Sequence, residues 1–131
     1  MAVSGQGYAQ QATAKPAAPA EQAAPPPTAE PPPPYEPQLL RLAELMGALA
    51  YLRDLCGARD ADAFHAKMAS LLEVEAKSQT RKEGLAGAYN NGFRGYELSY
   101  RVCTPAAREI IARFLDEAAK ISTDVANRYG G

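Results

Sequence analysis

The chain reads as all-α: a small four-helix, bundle-like domain clamped by one disulfide and preceded by a disordered Pro/Ala-rich tail. Three observations predict this. Apolar residues recur every three and four positions after about Gln38, and no stretch of any length alternates with a period of two. The two cysteines, Cys56 and Cys103, fall at what read as the ends of two helices. Ten of the eleven prolines lie between Pro16 and Pro37, which divides a tail (1–36) from a helical domain (37–131).

The tail carries Ala, Pro, Glu and Gln, with four consecutive prolines at Pro31 to Pro34. Its apolar side chains are too few to offset the entropy of ordering, so it reads as disordered. Proline runs favour extended polyproline II at about 3.1 Å per residue, a semi-rigid spacer. The simpler reading is a disordered leader left behind by processing; a spacer, or a ligand for a groove that binds PxxP, is the alternative. Residues 1–11 have neither a basic start nor an apolar core, but their small residues resemble the end of a signal peptide. That predicts a start further upstream, encoding a basic-then-apolar segment.

The first helix is marked by Pro37, tolerated in a first turn, and by Gly57, placed as a C-terminal cap. Leu42, Leu45, Leu49, Leu52 and Cys56 form its stripe, widened by Met46 and Leu55. A second helix starts after Asp60 or Asp62, either able to accept from free first-turn amides. Its stripe is Phe64, Met68, Leu71 and Leu72, fading near Ser78. The third segment, 79–102, bears Leu85, Tyr89, Phe93, Tyr96, Tyr100 and Cys103 at helical spacing. Beside them run Gly84, Ala88, Asn91, Gly95 and Leu98, mostly small, which suits close approach by another helix. Asn90-Asn91-Gly92 is also a turn signal, so two short helices are the alternative. One helix is preferred because the stripe keeps phase across that point. Thr104-Pro105 caps and starts the fourth helix, whose core face is Ile110, Ile111, Phe114, Ala118, Ile121 and Val125, with Tyr129 near its end.

Composition excludes more than it names. The domain carries 13 Lys/Arg against 12 Asp/Glu, and no basic run exceeds Arg81-Lys82, so a nucleic-acid partner is not expected. No apolar stretch approaches a transmembrane segment. The cysteine pair is most simply a disulfide, which places the protein in an oxidising compartment. Closing a loop of about 48 residues, it contributes roughly 4 kcal/mol in the chain-entropy model. Free buried thiols are the alternative, and a metal site the remote one, since the chain has no CxxC and one histidine. His65 reads as a half-exposed boundary residue rather than a base for a cysteine nucleophile. No catalytic motif occurs and no cofactor is implied.

One polar edge stands out. Asn90, Arg94, Glu97 and Arg101 step by four, three and four along the third helix, with Asn91 beside them. A solvated face with Glu97 paired to Arg101 is one reading. A ligand or partner patch, two amides and two guanidiniums beside tyrosine edges, is the other.

Five blocks, Tyr35-Glu36-Pro37-Gln38-Leu39-Leu40, Leu52-Arg53-Asp54-Leu55-Cys56-Gly57, Asn91-Gly92-Phe93-Arg94-Gly95-Tyr96, Tyr100-Arg101-Val102-Cys103-Thr104 and Arg128-Tyr129-Gly130, carry a resemblance. Over about residues 35–130 the chain resembles a family of small, uncharacterised, exported helical proteins from alphaproteobacteria, especially rhizobial ones, with two family-wide cysteines. The resemblance implies a periplasmic or envelope location and a Cys56–Cys103 pair, and it assigns no catalytic or binding residue. The expectation is therefore a non-enzymatic periplasmic protein acting through protein contacts in the cell envelope. The alternative is a small-ligand or glycan-binding module using the polar patch.

Overall fold

The computed structural model describes residues 31–130, and the tail expectation for 1–30 lies outside them. Four helices follow one another: α1 (Glu36–Leu55), α2 (Ala61–Glu75), α3 (Gln79–Ser99) and α4 (Pro105–Tyr129). The chain is all-α as expected, with no strand among the described residues.

The arrangement is a hub rather than a square bundle. α1 packs against each of the other three helices, α2 also meets α3, and α4 leans mainly on α1, with Tyr96 of α3 edge-on to Phe114 at 5.5 Å. Half of α1 is buried, and its buried residues lie on every side: Leu39, Ala43, Leu45, Met46, Gly47, Ala48, Leu49, Ala50 and Leu52, with Glu36 at its start. The stretch from Leu45 to Ala50 is apolar and buried all round, as at a centre, while Arg41, Glu44 and Asp54 keep part of α1 at the surface. The stripe read from the leucines was therefore only part of the story, because Ala43, Ala48 and Ala50 bury the remaining faces. Two apolar clusters flank α1. One joins Leu39, Ala43, Met46 and Ala50 to Met68 of α2 and to Leu85 and Tyr89 of α3. The other joins Leu45, Ala48 and Leu49 to Phe114 of α4, with Ile110, Ile111, Ala118 and Ile121 packed around it.

α3 is continuous through Asn90-Asn91-Gly92, and the reason is tertiary. At Gly92 a Cβ would stand 2.9 Å from the carbonyl carbon of Glu44 and 3.1 Å from the amide nitrogen of Ala48. At Gly47 it would stand 2.8 Å from the carbonyl carbon of Tyr89 and 3.0 Å from the nitrogen of Phe93. The two helices thus cross backbone to backbone, each presenting a glycine to the other. Of the anticipated ladder only Ala88 packs against the α1 cluster. Gly95 faces open space, Gly84 meets only the tip of Leu40, and Leu98 is 74% exposed.

Helix ends show how local chemistry positions these rods. Gly57, at φ +93°, lets its own amide reach Asp54 O at 3.1 Å while Ala58 N reaches Arg53 O at 2.8 Å, satisfying the last carbonyls of α1. Thr104 Oγ1 accepts from Ala107 N at 3.0 Å ahead of Pro105, as predicted, and Ser78 Oγ accepts from Arg81 N at 3.1 Å. Asp60 precedes α2 but does not cap it; its carboxylate accepts from Arg53 Nε at 2.8 Å instead. α3 ends at Ser99 rather than near Val102, because Tyr100 turns extended and its carbonyl accepts the Tyr51 hydroxyl. α1 begins at Glu36, one residue before the expected boundary, and Glu36 is buried.

Candidate functional site

Three helices bury Leu39, Met46 and Leu49 of α1, while Leu42 beside them stays half-exposed. Because α2 and α4 do not pack on one another, a groove stays open between them along α1. Leu42, Met46 and Leu49 form its floor, Phe64, Lys67 and Leu71 one wall, and Leu115, Ala118, Ala119 and Ser122 the other, around a hollow of about 530 Å³. A second hollow of about 310 Å³ continues it past Leu42, Leu71 and Ser122 to Leu39, Val125, Tyr35 and Tyr129. The floor from Leu39 to Leu49 spans about 15 Å of helix axis, three turns. Leu115 and Tyr129 on the α4 side are among the exposed large apolar residues, and Val74 lies one turn beyond Leu71 on α2. Val74, Leu98 and Val102 are exposed outside the groove, so its apolar character rests on Leu115 and Tyr129 with the half-buried Leu42, Phe64 and Leu71.

The walls have a regular spacing. On α4, Ala112, Leu115, Ala119, Ser122, Ala126 and Tyr129 step by three and four, one position after the core series Ile111, Phe114, Ala118, Ile121 and Val125. Mostly small side chains on that ridge permit close approach by another rod. Lys67 is the one charge on the walls of the larger hollow, and it joins none of the ion pairs among the described residues.

The end of the groove near Tyr35 is anchored by a cluster with no local sequence signature. Arg81, 8% exposed, donates through Nη2 to Glu36 Oε1 at 2.6 Å and through Nε at 3.0 Å, and reaches the Glu75 carboxylate at 3.4 Å. Its Nη1 also donates to the Glu75 carbonyl, an acceptor left over at the end of α2. The hydrogen bonds it donates to Glu36, above all, hold the guanidinium charged. Tyr35 Oη donates to Glu75 at 3.1 Å, and its ring lies 5.0 Å from that of Tyr129. Burial, followed by the Glu75 carboxylate, pushes the Tyr35 hydroxyl up. Starts of α1 and α3 and the end of α2 are thereby tied together. Glu36 is a first-turn carboxylate, but its partner is 45 residues away and no local pattern pairs them.

At the opposite pole a disulfide joins Cys56, just past α1, to Cys103, between α3 and α4, with Cα atoms 5.0 Å apart. Beside it Arg53 reaches Asp60 at 2.7 Å and lies 6.0 Å from the Phe64 ring centre. The hydrogen bond from Arg53 holds the Asp60 carboxyl below its ordinary range. Across the fold Arg41 forks onto Glu117 at 2.7 and 2.9 Å, lowering that carboxyl.

The polar edge is spread rather than gathered. Asn90, Asn91, Arg94 and Glu97 are exposed along the outside of α3, while Arg101 lies in the irregular connection after it. The anticipated Glu97–Arg101 ion pair is absent among the described residues, since the helix that would align them ends at Ser99. His65 is exposed, with its ring 6.1 Å from that of Tyr89. No described helix is long and apolar enough to cross a membrane.

Residues 34–129 match a family described as "Protein of unknown function (DUF2385)", nearly the whole described domain including Glu36, Arg81 and both cysteines. The chain belongs to the DUF2385 family. No curated protein and no solved structure matches it. The family's span begins at the last tail proline and ends with α4, so its unit is the hub and its three satellites.

Proposed function

We propose that this DUF2385 protein is a non-enzymatic module of the cell envelope that holds an amphipathic helix of a partner protein in the groove between α2 and α4. The observation that carries the reading is the apolar groove left open between α2 and α4 over Leu42 and Met46 of α1. Its walls space their residues by threes and fours, which suits a helical occupant, and its three-turn length suits short apolar anchors at i, i+3 or i+4, and i+7. Lys67 adds charge complementarity: the occupant carries a carboxylate beside its apolar stripe, pairing with that ammonium. The disulfide supports an exported, periplasmic setting, because such bonds persist outside the reducing cytosol.

The test is site-specific photo-crosslinking of the full chain in its native cells, with the photoreactive residue at Lys67 or Ser122 in the groove and at Asn90 or Arg94 on α3. The expected product forms from the groove positions, and its trapped peptide has an apolar stripe at helical spacing with an adjoining acidic residue. Lys67→Glu then reduces the yield from Ser122. A product formed only from Asn90 or Arg94 would overturn the groove in favour of the polar edge, and a trapped peptide without helical spacing would remove the helical occupant.

A further inference from the structure

We infer that the Cys56–Cys103 disulfide is an exchange site for a small anionic thiol, attacked at Cys56 with Cys103 as the leaving group. Two independent features point to that polarity. First, Cys56 lines a surface cavity of about 200 Å³ whose other walls include Arg53 and Arg108, whereas Cys103 lines no part of it. Displacement at sulfur needs open space beside the attacked atom and an attacking thiolate. Arg108 is exposed and joins no ion pair among the described residues, so its charge is free to draw an anion in; Arg53 is already shared with Asp60. The hollow gives a small thiol a place beside Cys56 with its carboxylate against Arg108.

Second, the two sulfurs sit at opposite ends of helix dipoles. Cys56 follows the C-terminus of α1, where partial negative charge opposes a thiolate, and Cys103 immediately precedes Thr104, the N-cap of α4, where the dipole favours one. The better leaving group is therefore Cys103. In the step, a thiolate RS⁻ attacks Cys56 Sγ, the Sγ–Sγ bond breaks, and its electron pair leaves on Cys103 as thiolate. The products are an RS–S–Cys56 mixed disulfide and one free thiolate, which takes a proton from water or re-attacks to expel RS⁻. No net oxidant is required. The consequence is a covalent clamp between α1 and the α3–α4 connection that an external thiol can open from the solvent side.

The oxidised full-length protein, treated with limiting glutathione under native conditions, alkylated with iodoacetamide and mapped by peptide mass spectrometry, tests the inference. Glutathione on Cys56 and carbamidomethyl on Cys103 are expected; the reverse assignment overturns it. Rates supply the second arm. Arg108→Glu slows exchange with glutathione by about five- to tenfold while leaving 2-mercaptoethanol unchanged, and added salt narrows the difference. Equal slowing with both thiols, or with neither, would overturn the role of the guanidinium. Exchange that proceeds only at the rate of global unfolding, read by its dependence on urea, would show the bond to be closed to solvent thiols and would also refute the site.

Discussion

Gly92→Ala is expected to destabilise the fold, although alanine is the better helix former by about 1 kcal/mol. The added methyl has no room. Its carbon would lie 2.9 Å from the Glu44 carbonyl carbon and 3.1 Å from Ala48 N, closer still to the Glu44 oxygen, and all three belong to the backbone of a buried helix. A flexible side chain could swing aside; a helix must move as a rod. Separating α1 from α3 by about an ångström also loosens Leu85 and Tyr89, which pack on α1 beside the crossing. Overpacking of this kind costs roughly 3 kcal/mol at the upper end of its usual range. Less the propensity gain, about 2 kcal/mol is lost, a fall of roughly 8–16 °C in Tm for a domain of this size. Gly95→Ala is the control. It sits on the same helix, with nothing within 4 Å of the new methyl, so only the propensity gain of up to about 1 kcal/mol remains. Urea unfolding of the two variants, followed by far-UV circular dichroism, should place their midpoints on opposite sides of the parent. A Gly92→Ala protein as stable as the parent would show that α1 and α3 do not cross at their glycines.

Other outcomes follow from the same structure. Reducing the disulfide, with its 47-residue separation, should cost up to about 4 kcal/mol, measured as the difference between urea midpoints with and without reductant; coincident curves would deny it a stabilising role. Arg81→Met strands the buried Glu36 carboxylate and should lose about 3–5 kcal/mol, with Glu36→Gln in the same chain restoring part of it. The Asp60 and Glu117 carboxyls are held below their ordinary values by Arg53 and Arg41. Their contribution is therefore present above about pH 4 and is lost as pH falls through the folded-state values; Arg53→Gln and Arg41→Gln should flatten the acid limb of stability against pH. Burial raises the Tyr89 hydroxyl, so the fold favours its neutral form. Stability should hold below about pH 10 and decline as pH rises through the folded value, and Tyr89→Phe should reduce that alkaline loss.

Helix number, the capped start at Thr104, the stop at Gly57 and the cysteine positions were determined by the sequence itself, because each depends on residues within about one turn of one another. Three-and-four spacing likewise marked Phe64, Met68, Leu85, Tyr89 and Phe114 as core. What only the tertiary structure decided involves partners far apart in the chain. Asn90-Asn91-Gly92 remains helical because Gly92 meets Gly47's helix backbone, a contact worth more than a local turn preference. Glu36 joins the fold because Arg81 awaits it across 45 positions. Asp60 abandons the cap for Arg53, and Tyr51 stops α3 by taking the Tyr100 carbonyl. The groove, too, was invisible in the pattern. Leu42, Leu71 and Leu115 are each ordinary core-like residues on separate helices, and only the failure of α2 and α4 to meet over α1 turns them into an open surface.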